Sequence, residues 1–249
     1  MNKPKRKELS RKEEIRQKRR QAQIRQRLIV FLLIGGAALV ILALAVGPSI
    51  RDATAPVGQI NPITPEPRPM AEGRNMGDPN APIVMEVYSD FQCSACNLFA
   101  KQVEPLVTAQ YVATGQVYVI YRHFPILDRG TNESKQSASA SMCAAEQDRF
   151  WDYHDMVFAN VLGVNAGSFT DRRLIAFAEE LDMDVDTFSA CLRENRFQSE
   201  ITADITAGQQ LGITGTPSVF VNGTQIAPGF VPTFEQLQEA FDAVLAAQS

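Results

Sequence analysis

Hydrophobic positions along the chain form patterns that are typical of different elements. Residues 28–46 are an uninterrupted apolar run without a charged side chain. As a helix this run is about 28 Å long, which is enough to cross the hydrocarbon core of a bilayer. Short runs rich in β-branched residues predict strands. These strands are expected at residues 83–89, 116–122, 218–221 and 224–227.

Apolar residues at helical spacing follow the first strand and fill the long interval between the second strand and the third. They predict helices over residues 97–113, 133–147, 150–161, 170–181, 184–192, 202–211 and 234–247. The resulting order predicts an α/β domain that an all-helical insertion interrupts at about residues 131–200. The one β-α-β unit predicts a parallel pair of strands.

Charge is divided unevenly between the start of the chain and the rest. Residues 1–28 hold 12 of the 24 Lys and Arg residues but only three of the 28 Asp and Glu residues. A basic flank before an apolar run stays in the cytoplasm, so the larger part of the chain is expected outside. We predict a basic cytoplasmic segment at residues 1–27 and an uncleaved transmembrane helix at residues 28–46. A cleaved signal peptide is the alternative, and no nucleic-acid partner is expected.

A proline-rich segment separates the apolar run from the predicted domain. Prolines without apolar periodicity favour an extended linker. We therefore predict a linker at residues 47–76 that lets a folded domain at residues 77–249 stand away from the membrane. Its prolines are Pro56, Pro62, Pro65, Pro67 and Pro69.

Two cysteines, Cys93 and Cys96, lie between the first strand and the first helix. Cysteines three residues apart at a helix start suit disulfide exchange, in which one sulfur attacks and the other resolves the mixed disulfide. The helix N-terminus favours a thiolate, so we expect Cys93 to have a lowered pKa and Cys96 to be more buried. Asp90 is expected to cap this helix. Zinc sites use the same cysteine spacing, and so the motif alone is only moderately specific.

A second motif, Gly215-Thr216-Pro217, opens the third predicted strand. Proline is compatible with the first residue of a strand. The Asn222-Gly223 pair between the third and fourth strands predicts a tight hairpin.

Together these motifs resemble those of the Dsb-type thiol–disulfide oxidoreductases, and in particular their membrane-anchored bacterial branch. The resemblance extends over most of residues 76–249 in the expected order. Its pieces are GDPNAP at 77–82, SDFQC at 89–93, YRHFP at 121–125, RFW at 149–151, YHD at 153–155 and GTP at 215–217. It implies a thioredoxin-like fold with a helical insertion, in which Thr216 and Pro217 lie against the cysteine pair and support substrate binding.

The other two cysteines, Cys143 and Cys191, both fall in the predicted insertion. Outside the cytoplasm they are expected to form a structural disulfide, and some members of the family resembled carry one there. Two buried free thiols, a second redox pair, or a zinc site built from all four cysteines are the alternatives.

Other ionisable residues are weaker candidates for catalysis. The family resembled usually has a buried acid six residues before the first cysteine, but this chain has Val87 there and Glu86 one residue earlier. A shift of one residue moves a strand side chain to the opposite face, so Glu86 is not expected beneath the cysteines. His123 and His154 are expected to be structural. Neither a metal nor an organic cofactor is expected.

We therefore interpret the chain as a single-pass membrane protein whose extracytoplasmic domain exchanges disulfides with exported proteins, in the oxidising direction. The resemblance implies a membrane redox partner that resets the cysteine pair. The alternatives are a reductase or isomerase of the same fold, and a membrane-tethered peptide-binding or chaperone module without redox turnover.

Overall fold

The structure is a computed structural model that describes residues 20, 25–44 and 57–247. Most of the basic segment predicted at residues 1–27 lies outside the described residues, as do the last two residues of the predicted transmembrane run and the first ten of the predicted linker. The chain divides into two units, Met1–Thr54 and Ala55–Ser249.

Helix α1, Arg25–Leu44, is the described part of the first unit. It has 20 residues and a mean hydropathy of 2.6. The predicted apolar run is therefore helical over the residues described, with the length and composition of a membrane span or of a signal sequence.

The second unit is built on a five-stranded sheet whose order is β1-β3-β2-β4-β5. The central pair, β2 and β3, is parallel, and the other neighbours are antiparallel. The parallel pair predicted from the β-α-β order is thus present. The strands are β1 Asn75–Met76, β2 Ile83–Ser89, β3 Val117–His123, β4 Ser218–Val221 and β5 Thr224–Ile226.

Strand β3 shows how the sequence pattern places one face of the sheet in the core. Its alternate residues Val117, Val119, Tyr121 and His123 are buried, whereas the residues between them are partly exposed. Side chains alternate between faces along a strand, so these four residues point to one side. Helices cover this side and form the main apolar core.

The helix after the cysteine pair differs from its predicted extent of residues 97–113. Helix α2 begins three residues earlier, at Ser94, and ends at Gln102. Pro105 has no backbone N–H to continue the helical hydrogen bonds, and it lies in the first turn of a new short helix, α3, Glu104–Val107. A π-helical turn, Thr108–Val112, follows.

Four helices occupy the predicted insertion, and two more follow it in the chain. Thr170 and Asp184 precede α6 and α7 as their N-caps, and the Asp184 carboxylate accepts hydrogen bonds from two amides of α7. The helices are α4 Glu133–Ala145, α5 Phe150–Ala159, α6 Asp171–Glu180, α7 Val185–Arg193, α8 Gln198–Gln210 and α9 Phe234–Ala246.

A disulfide joins α4 to α7 inside the insertion. Cys143 and Cys191 are bonded with a Cα–Cα distance of 5.8 Å, and both are buried. Their separation of 48 residues means that the bond closes a long loop containing α5 and α6. Such a bond stabilises the folded chain by restricting the unfolded one.

The proline-rich segment differs from the extended linker predicted at residues 47–76. Residues 57–74, which we name the strap, contact the folded domain. Arg68 donates hydrogen bonds to Glu104 and Asp155, and its guanidinium lies 4.9 Å from the centre of the Trp151 ring. Arg74 pairs with the buried Asp204. Polar and charged anchors of this kind are not visible in a periodicity of apolar residues.

We predict that removing the Cys143–Cys191 disulfide lowers the free energy of unfolding by about 4 kcal/mol, because the unfolded chain regains the entropy of a 48-residue separation. The measurement is urea unfolding of Cys143→Ser/Cys191→Ser in a Cys93→Ser/Cys96→Ser background, so that the variant and its control differ only in this pair. An unchanged midpoint and slope would contradict the prediction.

Candidate active site

The first cysteine lies where the central strand passes into α2. Strand β2 ends at Ser89, a short turn follows, and Cys93 is the N-cap residue of α2. The Cys93 sulfur does not accept a capping hydrogen bond. It nevertheless lies close enough to the N–H groups of Ala95 and Cys96 for both to favour the thiolate. Asp90 was expected to cap this helix, and the structure gives that position to Cys93.

The pKa of Cys93 is lowered to about 6. The largest cause is a hydrogen bond from the Cys96 thiol, which opposes the partial burial of Cys93. The Thr216 side chain and the amides of Cys96 and Ala95 lower the pKa further. A thiolate is the nucleophilic form of cysteine, so Cys93 is reactive near neutral pH.

The second cysteine has the opposite environment. Cys96 is 1% exposed, and burial, the hydrogen bond to Cys93 and the charge of Cys93 raise its pKa well above the usual value. The Ser89 side chain and the backbone of Asp90 act in the other direction. One sulfur is therefore available to solvent as a thiolate, while its neighbour keeps its proton.

The Thr216–Pro217 turn lies directly against Cys93, although 123 residues separate Cys93 from Thr216. The Cys93 thiol, when protonated, donates a hydrogen bond to the Thr216 carbonyl at 3.2 Å. The Thr216–Pro217 peptide bond is cis. Strand β4 starts one residue later and pairs with β2, with Ser218 opposite Tyr88, and this pairing brings the turn to the cysteine end of β2. The structure thus brings together Cys93, Cys96, Thr216 and Pro217.

Two residues of the turn before Cys93 have roles that the sequence did not reveal. The buried Asp90 carboxylate accepts hydrogen bonds from the Ser134 hydroxyl and from the amides of Gln92, Ile126 and Leu127. The buried Gln92 side chain donates to the Ser134 hydroxyl. These bonds tie the turn to the start of the insertion. A polar residue in a turn carries no sequence signal for such distant partners.

Glu86 lies on the face of the sheet away from the cysteines, as its position relative to Val87 implied. It pairs with Arg122 at 2.9 Å and is partly exposed. Val87, at the position where the related family usually has an acid, is buried. The apolar Val87 side chain therefore has no group that could accept a proton from Cys96.

Both histidines are buried among aromatic rings. Burial and the charge of Arg74 lower the pKa of His123 well below its usual value, which keeps His123 neutral. His154 Nδ1 lies 2.8 Å from Asp155 Oδ1, and His154 Nε2 lies 4.0 Å from Glu104 Oε2.

Glu104, His154 and Asp155 form a cluster whose possible ligand atoms lie within 4.8 Å of one another. The Arg68 guanidinium already donates hydrogen bonds to both carboxylates, of Glu104 and of Asp155. A cation in the cluster would have to displace this buried positive charge, so the donor set does not fit a metal. Among the described residues, the polar groups that contact the cysteine pair are the Thr216 carbonyl and side chain, the Ser89 side chain and backbone amides, with neither a carboxylate nor an imidazole to complete a metal site.

Comparison with known proteins gives a consistent assignment of the fold. A model of the thioredoxin family matches residues 70–243. The crystal structure of oxidised BdbD from Bacillus subtilis has a TM-score of 0.63 at 21% identity, covering 75% of this chain and 100% of that one. The expected fold class, a thioredoxin-like domain with a helical insertion and an apolar helix before it, is confirmed.

Curated relatives are of two kinds. The Na(+)/H(+) antiporter NhaA 3 of Salinispora tropica is 33% identical over 147 residues, which are 59% of this chain and 21% of that protein. The chain thus spans about a fifth of the length of the first curated relatives that it matches. The probable disulfide bond formation protein D of Bacillus cereus is 25% identical over 174 residues, which are 69% of this chain and 78% of that protein.

We predict that Cys93 is alkylated with a pH midpoint of about 6, and that Cys96→Ala moves this midpoint up towards about 8.5, the value of a free thiol. The reason is that Cys96→Ala removes the hydrogen bond that lowers the pKa of Cys93 most. The measurement is the rate of iodoacetamide labelling against pH. Labelling of Cys93→Ser under the same conditions is the control, and equal midpoints for the wild type and Cys96→Ala would contradict the prediction.

Proposed function

Since the chain belongs to the thioredoxin family and is a Dsb-type thiol–disulfide oxidoreductase, we propose that it exchanges disulfides with exported proteins through Cys93 and Cys96. One observation carries the proposal: a partly exposed Cys93 with a pKa of about 6 lies beside a buried Cys96 with a raised pKa. This difference supports Cys93 as the sulfur that bonds to the substrate and Cys96 as the buried sulfur that resolves the mixed disulfide.

In the oxidising direction the enzyme starts as the Cys93–Cys96 disulfide. A substrate thiolate attacks the Cys93 sulfur, a bond forms between these two sulfurs, and the Cys93–Cys96 bond breaks with its electron pair on Cys96. A second substrate thiolate then attacks the substrate sulfur of this mixed disulfide. Cys93 leaves as a thiolate, the substrate is oxidised by two electrons, and the enzyme is left as a dithiol.

The low pKa of Cys93 supports the oxidising direction. A stabilised thiolate is a good leaving group and also stabilises the reduced enzyme, so the disulfide form accepts electrons more readily. Among the described residues, the groups that stabilise the thiolate are the Cys96 thiol, the Thr216 side chain and the first amides of α2. The Ser94-Ala95 pair between the cysteines supplies no cationic side chain.

Thr216 and Pro217 form the substrate-supporting side of the site. Thr216 touches the reactive sulfur through its carbonyl, and its side chain favours the thiolate. Pro217 has no N–H, and the turn precedes the first paired residue of β4. A substrate segment bonded to Cys93 would therefore lie alongside this turn.

The proposed location is outside the cytoplasm, with residues 28–46 as an uncleaved anchor and residues 77–249 as the catalytic domain. The basic residues before α1 support this orientation. The buried Cys143–Cys191 disulfide also supports it, because such bonds persist in oxidising compartments. A membrane redox partner would return the enzyme dithiol to the disulfide. Disulfide exchange between cysteine sulfurs needs neither a metal nor an organic cofactor.

We predict that Cys93→Ser abolishes oxidation of a reduced, unfolded protein, because the attacked sulfur is lost, whereas Cys96→Ser accumulates mixed disulfides. The measurements are the recovery of activity by a reduced substrate enzyme in a glutathione buffer and gel detection of trapped complexes. Cys143→Ser/Cys191→Ser, assayed at a temperature where it is folded, is the control for loss of a disulfide elsewhere.

Full activity of Cys93→Ser would overturn the proposed function. The direction has its own test, which is equilibration of the Cys93–Cys96 pair with glutathione. We expect a potential nearer to about −120 mV than to about −270 mV, the values for a strong oxidant and for thioredoxin. A potential at the thioredoxin end would favour the reductase alternative.

A further inference from the structure

The cysteine turn has a different segment of the chain on each side. Strand β2 lies between β4, which the Thr216–Pro217 turn precedes, and β3. Because β3 is parallel to β2, the residues after its last residue, His123, leave the sheet at the same end as the cysteine turn. The Phe124 amide donates a hydrogen bond to the Ser89 carbonyl at 2.8 Å. Residues 124–127 therefore lie on the side of the turn opposite to Thr216–Pro217.

A loop of the helical insertion, residues 161–169, is attached to this same side. The Asn165 amide donates a hydrogen bond to the Gln92 side-chain oxygen at 2.5 Å, and the Asn165 side chain donates to the Leu127 carbonyl at 3.0 Å. Gln92 is buried and immediately precedes the reactive cysteine. The loop and residues 124–127 thus form one continuous border beside that cysteine.

Hydrogen bonds from beneath hold the loop in its shape. The buried Glu133 carboxylate accepts from the amides of Gly167 and Phe169 at 2.9 and 3.0 Å. The buried Ser168 hydroxyl accepts from the Leu162 amide at 2.9 Å. The loop is therefore ordered before any substrate arrives, which reduces the entropy that a bound segment must overcome.

The side chains that this border presents to solvent are apolar. Leu162 is 63% exposed, Val164 52% and Ile126 39%, and we name these three side chains the apolar rim. Single exposed apolar side chains are normal on a protein surface. Three of them on two joined segments beside a reactive group indicate a contact surface. The other large apolar side chains exposed in the described part of the second unit belong to five different segments: Met70, Leu98, Leu106, Leu211 and Phe230.

Charge is absent from the sequence of the segments that border the cysteine turn. Residues 124–127, 161–169 and 213–217 contain no Asp, Glu, Lys or Arg, whereas these four types make up 21% of the chain. The charged residue of the turn itself, Asp90, is buried and already accepts the hydrogen bonds described above. Covering this border would cost a charged side chain its hydration without giving it a partner, so the border favours apolar ones.

We propose that the apolar rim binds apolar residues next to the cysteine of an unfolded exported protein, and that Leu162 and Val164 determine this specificity. The inference rests on the proposed function, in which that cysteine bonds to Cys93. An extended chain advances about 3.4 Å per residue, so two or three residues beside the bonded cysteine can reach the neighbouring rim.

The apolar rim suits a substrate better than a single dedicated partner. Apolar contact is not directional, so one rim can accept many different sequences. The Asn165 side chain, the polar group between the two exposed segments, is already bonded to Leu127. Apolar residues beside a cysteine are accessible in an unfolded chain and usually buried in a folded one. The rim would therefore favour substrates that have not yet folded.

The test compares two reduced peptides of equal length and net charge, each with two cysteines. One peptide has leucine and valine beside its cysteines, and the other has serine. The full chain in lipid nanodiscs, with Cys93 and Cys96 joined as a disulfide, is mixed with each peptide below saturation. Acid quenching and mass spectrometry give the rate constant for a single turnover. Dithiothreitol, which has no neighbouring residues, is the reference dithiol.

We expect Leu162→Ser/Val164→Ser to lower the rate constant for the apolar peptide at least about fivefold, because the apolar area covered by the peptide no longer contributes. The rates with the serine peptide and with dithiothreitol should equal those of the wild type. Val164→Thr, which keeps the shape of the side chain, should give a smaller loss. The matched control is Leu106→Ser, an exposed leucine of α3, which should leave all three rates unchanged.

The comparison with dithiothreitol separates binding from reactivity. If the double substitution leaves the rate with the apolar peptide unchanged, the proposal is wrong and the proposed function stands. An equal loss with dithiothreitol would also overturn the proposal, because the effect would then lie in the cysteine pair itself. If Cys93→Ser still oxidises either peptide, the proposed function itself fails.

Two further outcomes would give the rim to another occupant and overturn the proposal. In the first, both peptides react with the double variant at the wild-type rate, but its dithiol is no longer re-oxidised in native membranes, which assigns the rim to the redox partner. In the second, the peptide rates are again unchanged, but sedimentation shows a wild-type dimer and a monomeric double variant, which assigns the rim to a second copy of the chain.

Discussion

The site depends on the contrast between the surroundings of two sulfur atoms one helical turn apart. Cys93 lies at the start of α2, where amide N–H groups, the Thr216 side chain and the neighbouring thiol all favour its negative charge. Cys96 points into the core, where burial opposes the same charge. Because one environment stabilises the anion and the other excludes it, the pair is polarised before any substrate arrives.

This contrast requires a frame that holds both sulfurs in place. The central strand β2 leads into the cysteine turn. Its neighbour β3 contributes to the core face beneath Cys96, and its other neighbour, β4, places the Thr216–Pro217 turn beside Cys93. The buried Asp90 then ties the turn to the helical insertion through Ser134. Sheet and insertion therefore meet at the residues that precede the reactive thiol.

Local patterns predicted the elements better than their ends and attachments. The boundaries of β2 and β4 agree with the sequence, because their apolar runs are bounded by polar or turn residues. The helix after Cys93 was predicted as one continuous element, but Pro105 divides it. The strap was predicted as part of an extended linker, since the partners of its charged anchors, such as Arg68, lie far along the chain.

The sequence by itself determined the cysteine motif, its place between a strand and a helix, the apolar helix before the domain, and the order of the elements, because each depends on residues near one another in the chain. Only the tertiary structure decided that Thr216 touches Cys93, that Cys143 is bonded to Cys191, and that Asp90 ties the cysteine turn to Ser134. The physical reason is that burial and pairing arise between distant segments. A residue's pKa and its partners are therefore set by neighbours that the linear pattern does not identify.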